Sequence, residues 1–231
     1  MRTENMTVGG IPAILWGDPS DRGFVYVHGK QGSKADARQL AELADARGWQ
    51  TLSFDLPEHG DRTDGRRCDI WNGKQDLTAV ADAAYRRWSD VSLFACSLGA
   101  WFSLETYAGR PFQKCLFQSP IVDMRWLVEH MMLWSNVTEA ALEAAGEIDT
   151  PIDVLRWDYY RYIQAHPVTC WSEGTRVLYA AHDALQPVEC IRDFVDRFHG
   201  TLTVAPNSDH AFMETGDRAI VTGWMEASLD A

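Results

Sequence analysis

Ala95-Cys96-Ser97-Leu98-Gly99 puts a serine where two patterns of different period meet. Val91 to Cys96 is a short apolar run of the kind that forms a buried strand, and Leu98 to Tyr107 reads as a helix. A strand that turns straight into a helix strains the residue at the junction, and the close crossing requires small residues two positions before and after it. Ala95 and Gly99 meet that requirement. Such a turn lifts the serine hydroxyl above the sheet edge and leaves the Leu98 N–H at a helix N-terminus, facing whatever the hydroxyl attacks. That is the chemistry of an acyl-transfer nucleophile with one oxyanion donor beside it. A serine here could also do no more than cap the helix, so the case turns on partners elsewhere in the chain.

Three other strand ends supply candidates. Gly23 to His28 reads as a buried strand running into Gly29-Lys30-Gln31-Gly32-Ser33-Lys34, with a helical stripe at Ala37, Leu40, Ala41, Leu43 and Ala44. A glycine-rich loop between strand and helix could cradle phosphate, but the spacing is not G-x-x-x-x-G-K-[ST], and no G-x-G-x-x-G occurs. The other use of such a loop is to aim a backbone N–H, that of Lys30, at an oxyanion beside Ser97. The strand Arg176 to Ala181 hands over to Asp183, and the strand Thr201 to Ala205 leads to His210.

The elements that must position these groups alternate. Arg2–Val8 and Ile11–Trp16 form a hairpin through Gly9-Gly10. Strand Thr51–Phe54, a helix from about Trp71 to Trp88, strand Val91–Cys96, helix Leu98–Tyr107 and strand Lys114–Gln118 follow, and after residue 173 helices over Val188–Phe198 and Asp217–Leu229 flank the last strand. This order predicts an α/β fold, a mostly parallel sheet covered by helices on both faces, with ligands at the carboxyl ends of the strands. Between residues 123 and 173 the alternation breaks into helical patterns around Met124–Trp134, Thr138–Ala145 and Val154–Ala165. Residues 1–122 and 174–231 are therefore read as the core, and 123–173 as an inserted helical lid. The insert carries Trp126, Trp134, Trp157, Tyr159, Tyr160, Tyr162 and Trp171. Most of these rings glue the layer to the core; those assigned to the pocket, and favouring an apolar or aromatic group, are Trp126, Trp134 and Tyr160, with His28 and Gly29 opposite.

Composition excludes several classes of function. At 231 residues with a formal charge of -12 and no basic run longer than Arg66-Arg67 or Arg86-Arg87, the chain is unsuited to nucleic acid or an anionic membrane. No apolar run approaches the ~20 residues needed to span a bilayer, and the N-terminus lacks a signal-peptide pattern. Five scattered cysteines without a C-x-x-C pair fit a reducing, cytoplasmic setting, and the seven histidines show no metal-ligand spacing, so neither metal nor other cofactor is expected. A ring-rich lid could cover part of itself by forming a homodimer.

The order Ser97, Asp183, His210, each after a predicted strand, resembles the α/β-hydrolase triad. His28-Gly29-Lys30 resembles that superfamily's oxyanion loop H-G-x. Asp55-Leu56-Pro57-Glu58-His59-Gly60 resembles D-L-P-G-H-G, and Tyr179 to Pro187 its acid loop. The match covers nearly the whole chain, and the place of the insert is similar to that in small-lid esterases, including those acting on cinnamoyl esters. Ala95, Glu58 and Ala180 each stand where the family usually has glycine, and Lys30 where an esterase usually has an apolar residue, which biases the expected substrate toward an acidic group.

The resemblance implies that Ser97 attacks an acyl carbonyl, His210 moves the proton, Asp183 orients the imidazole, and the Lys30 and Leu98 N–H groups hold the oxyanion. Asp123 is a second candidate acid, because some members of the superfamily place it there. His182 and His59 are read as structural, His28 as shaping the oxyanion loop, and Cys96 as packed under the elbow. The expected activity is hydrolysis of small carboxylic esters; thioester, peptide or carbon–carbon cleavage, or a binding protein without turnover, are the alternatives.

Overall fold

A computed structural model describes residues 1–231. β1 (Thr3–Val8) and β2 (Ile11–Trp16) pair antiparallel across Gly9-Gly10, both at positive φ as the tight turn demands. β3 (Arg22–Val27), β4 (Gln50–Phe54), β5 (Asp90–Cys96), β6 (Cys115–Gln118), β9 (Arg176–Ala180) and β10 (Thr201–Ala205) complete one sheet in the order β1-β2-β4-β3-β5-β6-β9-β10. The β2–β4 pair is antiparallel, and every pair from β4 onward is parallel. The central strands are buried on both faces, which is why β3, β4 and β5 read as continuous runs rather than alternations.

The two faces are covered unequally. α1 (Arg38–Asp45) and α8 (Asp217–Asp230) pack on one, around Phe24, Leu40, Phe94 and Trp224. α2 (Ile70–Arg87), α3 (Leu98–Tyr107) and α7 (Val188–Arg197) cover the other, where 43 buried residues cluster against 19 on the first. The excess arises because the insert adds Met124, Leu127, Leu142, Leu155 and Ile163 to the same cluster. Burying such side chains is the main stabilising term, about 1.5–3 kcal/mol for each large aliphatic group. No helix is long and apolar enough to cross a membrane.

The segment between β6 and β9, the expected insert, holds α4 (Met124–Trp134), α5 (Glu139–Ala145) and α6 (Trp157–Ala165), and the first two run as their patterns predict. The third does not begin at Val154. Val154–Arg156 is a strand, β8, paired antiparallel with β7 (Glu147–Asp149), and the helix starts at Trp157. Gly146, at φ 75°, ends α5, and the Thr150 hydroxyl accepts from the Ile152 and Asp153 N–H groups while donating to the Asp153 carbonyl, so the chain reverses there. Two apolar residues in a row, Val154 and Leu155, fit strand and helix equally, and the turn made the choice.

Candidate active site

Ser97 follows β5 with φ 47° and ψ −119°, a strained conformation for a residue with a side chain. Its N–H donates to the Gln118 carbonyl at 3.2 Å, and its carbonyl accepts from the Ile121 N–H at 3.2 Å, so both neighbouring segments hold the turn. Gly99 is forced: a methyl there would run into the carbonyl oxygens of Val27 and His28. Cys96 lies against the Tyr26 hydroxyl at 3.7 Å, and burial pushes its thiol up to about 12, so it is an inert packing group.

Asp183 and His210, from the loops after β9 and β10, converge on this turn. Ser97 Oγ lies 2.8 Å from His210 Nε2, and His210 Nδ1 lies 2.7 Å from Asp183 Oδ2. The other carboxylate oxygen, Oδ1, accepts from the Leu185 and Gln186 N–H groups at 2.8 and 3.2 Å, which fixes a side chain with no exposed surface. The second candidate acid is used differently: Asp123 caps α4, accepting from the Trp126 N–H at 2.9 Å.

Several supports escaped the sequence reading. The Ser119 hydroxyl donates to the His210 carbonyl at 2.8 Å, and Asp217 accepts from the Ser208 hydroxyl and the Glu214 N–H on either side of His210. Gln186 accepts from the Val122 and Asp123 N–H groups and donates to the Asp123 carbonyl, tying the acid loop to the root of the insert. Small polar residues in loops carry no periodicity, so only the fold reveals these partners.

The glycine loop sits over Ser97. Gly29 comes so near that an added Cβ would lie 3.0 Å from Ser97 Cβ. His28 is wholly buried; its Nδ1 donates to the Gly29 carbonyl at 2.7 Å, and its Nε2 accepts from the Leu56 N–H at 3.0 Å. Burial lowers its pKa to about 4, so the ring is neutral and of one tautomer. His59 braces the same loop, accepting from the Gln31 N–H at 3.0 Å. Lys34, the residue of a failed phosphate motif, is a buried tie between loops, with Nζ 2.5 Å from Asp55 and 2.7 Å from Asp61. Burial alone would raise Asp55, but the Lys34 ammonium and two backbone N–H groups outweigh it and hold the carboxyl below the usual range. Gly60 leaves room for that carboxylate, whereas Glu58 takes φ 64° despite its side chain. No turn, loop or cap hydrogen bond uses the Lys30 or Leu98 N–H.

A cavity of about 490 Å³ opens beside Ser97, walled by Leu98, Phe102, Ile121 and Leu185 of the core and by Met124, Leu127, Val128, Met131, Leu155 and Tyr159 of the insert. The expected ring residues are not on this wall. Trp126 stacks on His130 at 3.7 Å, Trp134 is half exposed beside them, and Tyr160 is buried with its hydroxyl donating to Glu129. Tyr159, one residue earlier, faces the cavity and accepts from Trp101 Nε1 at 3.1 Å. With rings at 157, 159, 160 and 162 the apolar pattern of α6 is too broad to give its phase. His28 and Gly29 also lie off the wall and act on the loop instead. The Lys30 ammonium pairs with Asp153 of the insert, so the acidic-substrate bias expected from it has no support.

No family model and no curated protein matches the chain. Solved structures do. Est1E from Butyrivibrio proteoclasticus, with ferulic acid bound, superposes with a TM-score of 0.79 at 17% identity, covering 97% of this chain and 96% of that one. Mouse alpha/beta hydrolase domain-containing protein 10 gives 0.77 at 17% identity, covering 100% and 99%. The thioesterase domain from the curacin biosynthetic pathway gives 0.60 at 13% identity, covering 99% of each. With the strand order, the elbow and the chain order of the three converging side chains, these likenesses establish that the chain has the α/β-hydrolase fold.

Proposed function

We propose that the protein is a serine hydrolase of small carboxylic esters with an apolar or aromatic group. The observation that carries the reading is the unbroken relay from Ser97 Oγ through His210 to Asp183, with hydrogen bonds of 2.8 and 2.7 Å. In the reaction Ser97 Oγ bonds to the acyl carbon while its proton passes to His210 Nε2, and Asp183 stabilises the imidazolium. The Lys30 and Leu98 N–H groups receive the oxyanion. The tetrahedral intermediate collapses, the alcohol leaves with the proton from His210, and water then hydrolyses the acyl-enzyme by the same steps in reverse roles. No group beyond these residues is needed for that balance.

The predominantly apolar wall supports an apolar acyl or alcohol group, and the bound ferulic acid of the Est1E structure is in keeping with an aromatic one. The test is a fluorophosphonate probe followed by a panel of p-nitrophenyl esters and acyl-CoA thioesters. Labelling confined to Ser97 with faster ester than thioester turnover is the expected result. No adduct on folded protein points instead to a binding protein, and faster thioester turnover to a thioesterase.

A further inference from the structure

Three cations line the cavity, and two are used within the protein. Lys30 pairs with Asp153, and Arg67 donates to Glu147 at 2.9 Å. Arg156, on β8, is different. Its side chain is only 15% exposed, yet its one ionic partner is Asp69 at 3.9 Å, and its guanidinium makes no hydrogen bond to any protein atom. Nor are its nitrogens sealed away, since the buried polar atoms without partners are confined to Thr51 and Ser92. Its donors are therefore within reach of solvent, in a residue that lines the cavity.

No protein acceptor reaches this guanidinium, so an acceptor oxygen entering the cavity could take charge-assisted hydrogen bonds from it. Asp69, at 3.9 Å, lies beyond hydrogen-bond reach of the guanidinium, and its oxygens are held in place by the Asn72 N–H at 2.8 Å and the Asn72 amide at 3.2 Å as the cap of α2. It balances the charge of Arg156 without accepting from it. Asp69 balances Arg156, and the other two lining cations are paired with Asp153 and Glu147, so a further full negative charge would find no uncompensated cation. The group that fits is a neutral oxygen acceptor in a predominantly apolar cavity whose other charged groups are not uncompensated cations.

We propose that Arg156 selects the substrate by donating to a neutral oxygen, of a carbonyl, hydroxyl or ether, carried away from the ester that Ser97 attacks. The proposal rests on the serine esterase reading and adds the polar half of the substrate. The probes are p-nitrophenyl alkanoates and their oxo-alkanoate counterparts, the ketone moved one carbon at a time, with a matched series of butyrate esters bearing the ketone on the alcohol side. The measure is the ratio of kcat/KM for each keto ester to that of its alkyl match, which is independent of the fraction of folded enzyme. At least one keto position is expected to be preferred roughly 10-fold by the native protein, mainly through KM, with the preference abolished in Arg156→Met and partly kept in Arg156→Lys.

Ser97-dependent turnover with no preferred keto position, or with a preference that survives Arg156→Met, overturns the proposal and leaves the esterase reading standing. An Arg156-dependent preference seen only for monoesters of dicarboxylic acids overturns it in favour of anion recognition. Absence of any Ser97-dependent hydrolysis overturns the esterase reading, and the proposal with it.

Discussion

The loops carrying Ser97, Asp183 and His210 and the segment between β6 and β9 face each other across one cavity and hold their side chains by different means. On the core side, position comes from backbone strain and buried hydrogen bonds: Ser97 at φ 47°, Asp183 fixed by two N–H groups, His210 braced through its carbonyl by Ser119. On the insert side it comes from apolar packing of Met124, Leu127 and Leu155, with ion pairs at the rim. Lys30–Asp153 and Arg67–Glu147 are between 43% and 59% exposed at both ends, and such pairs contribute little. Geometry that must be accurate to fractions of an ångström is built from strained and buried parts. Geometry that only shapes a pocket is left to adjustable side chains.

The largest effect expected from this division is at Ser97. Ser97→Ala is predicted to lower kcat for p-nitrophenyl esters by at least ~10⁴-fold with an unchanged thermal midpoint, whereas Leu127→Ala should act mainly on KM. A Leu127→Ala enzyme that loses kcat as Ser97→Ala does would erase the distinction between the two sides.

Next in size is the buried tie beneath the glycine loop. Lys34→Met leaves the Asp55 carboxylate buried without its cation, and a loss of roughly 3–5 kcal/mol in urea unfolding is expected. A loss below about 1 kcal/mol would place the loop's support elsewhere.

His28 sets the acid limit. Its folded pKa of about 4 lies below the 6.5 of a free imidazole, so between these values the unfolded chain binds the proton and the folded one does not. Stability is therefore full above pH 6.5 and falls on acidification toward pH 4, by roughly 3 kcal/mol from this group. Urea titrations across that interval should show the slope, and His28→Gln should flatten it; equal slopes in both proteins would remove His28 as the cause.

The smallest effect belongs to the rim. Lys30→Ala should cost less than about 1 kcal/mol, and the cost should shrink further in high salt. A larger, salt-insensitive loss would mean that the insert is latched by charge after all.

Much of the core was legible because its signals are local. The elbow needs small residues around Ser97, and Ala95 and Gly99 supply them; strand ends at Val27, Ala180 and Ala205 set where the loops begin. The same local reading failed in the insert. Val154–Arg156 pairs as a strand because a turn at Thr150 brings Glu147–Asp149 alongside, and Tyr159 rather than Tyr160 faces the cavity because packing set the phase of α6. The Lys30 side chain, whose charge alone suggests an acidic substrate, is instead paired with Asp153.

Residue type and order along the chain determined the parallel sheet, the strained serine, and a histidine and two candidate acids, Asp123 and Asp183, in the loops after later strands. These depend on backbone sterics and periodicity, which act over a few residues. Only the folded chain decided that Asp183 rather than Asp123 meets His210, that Lys34 serves Asp55, and that Arg156 lines the cavity. Those outcomes depend on which distant side chain first satisfies a buried polar group, and that competition is settled by packing.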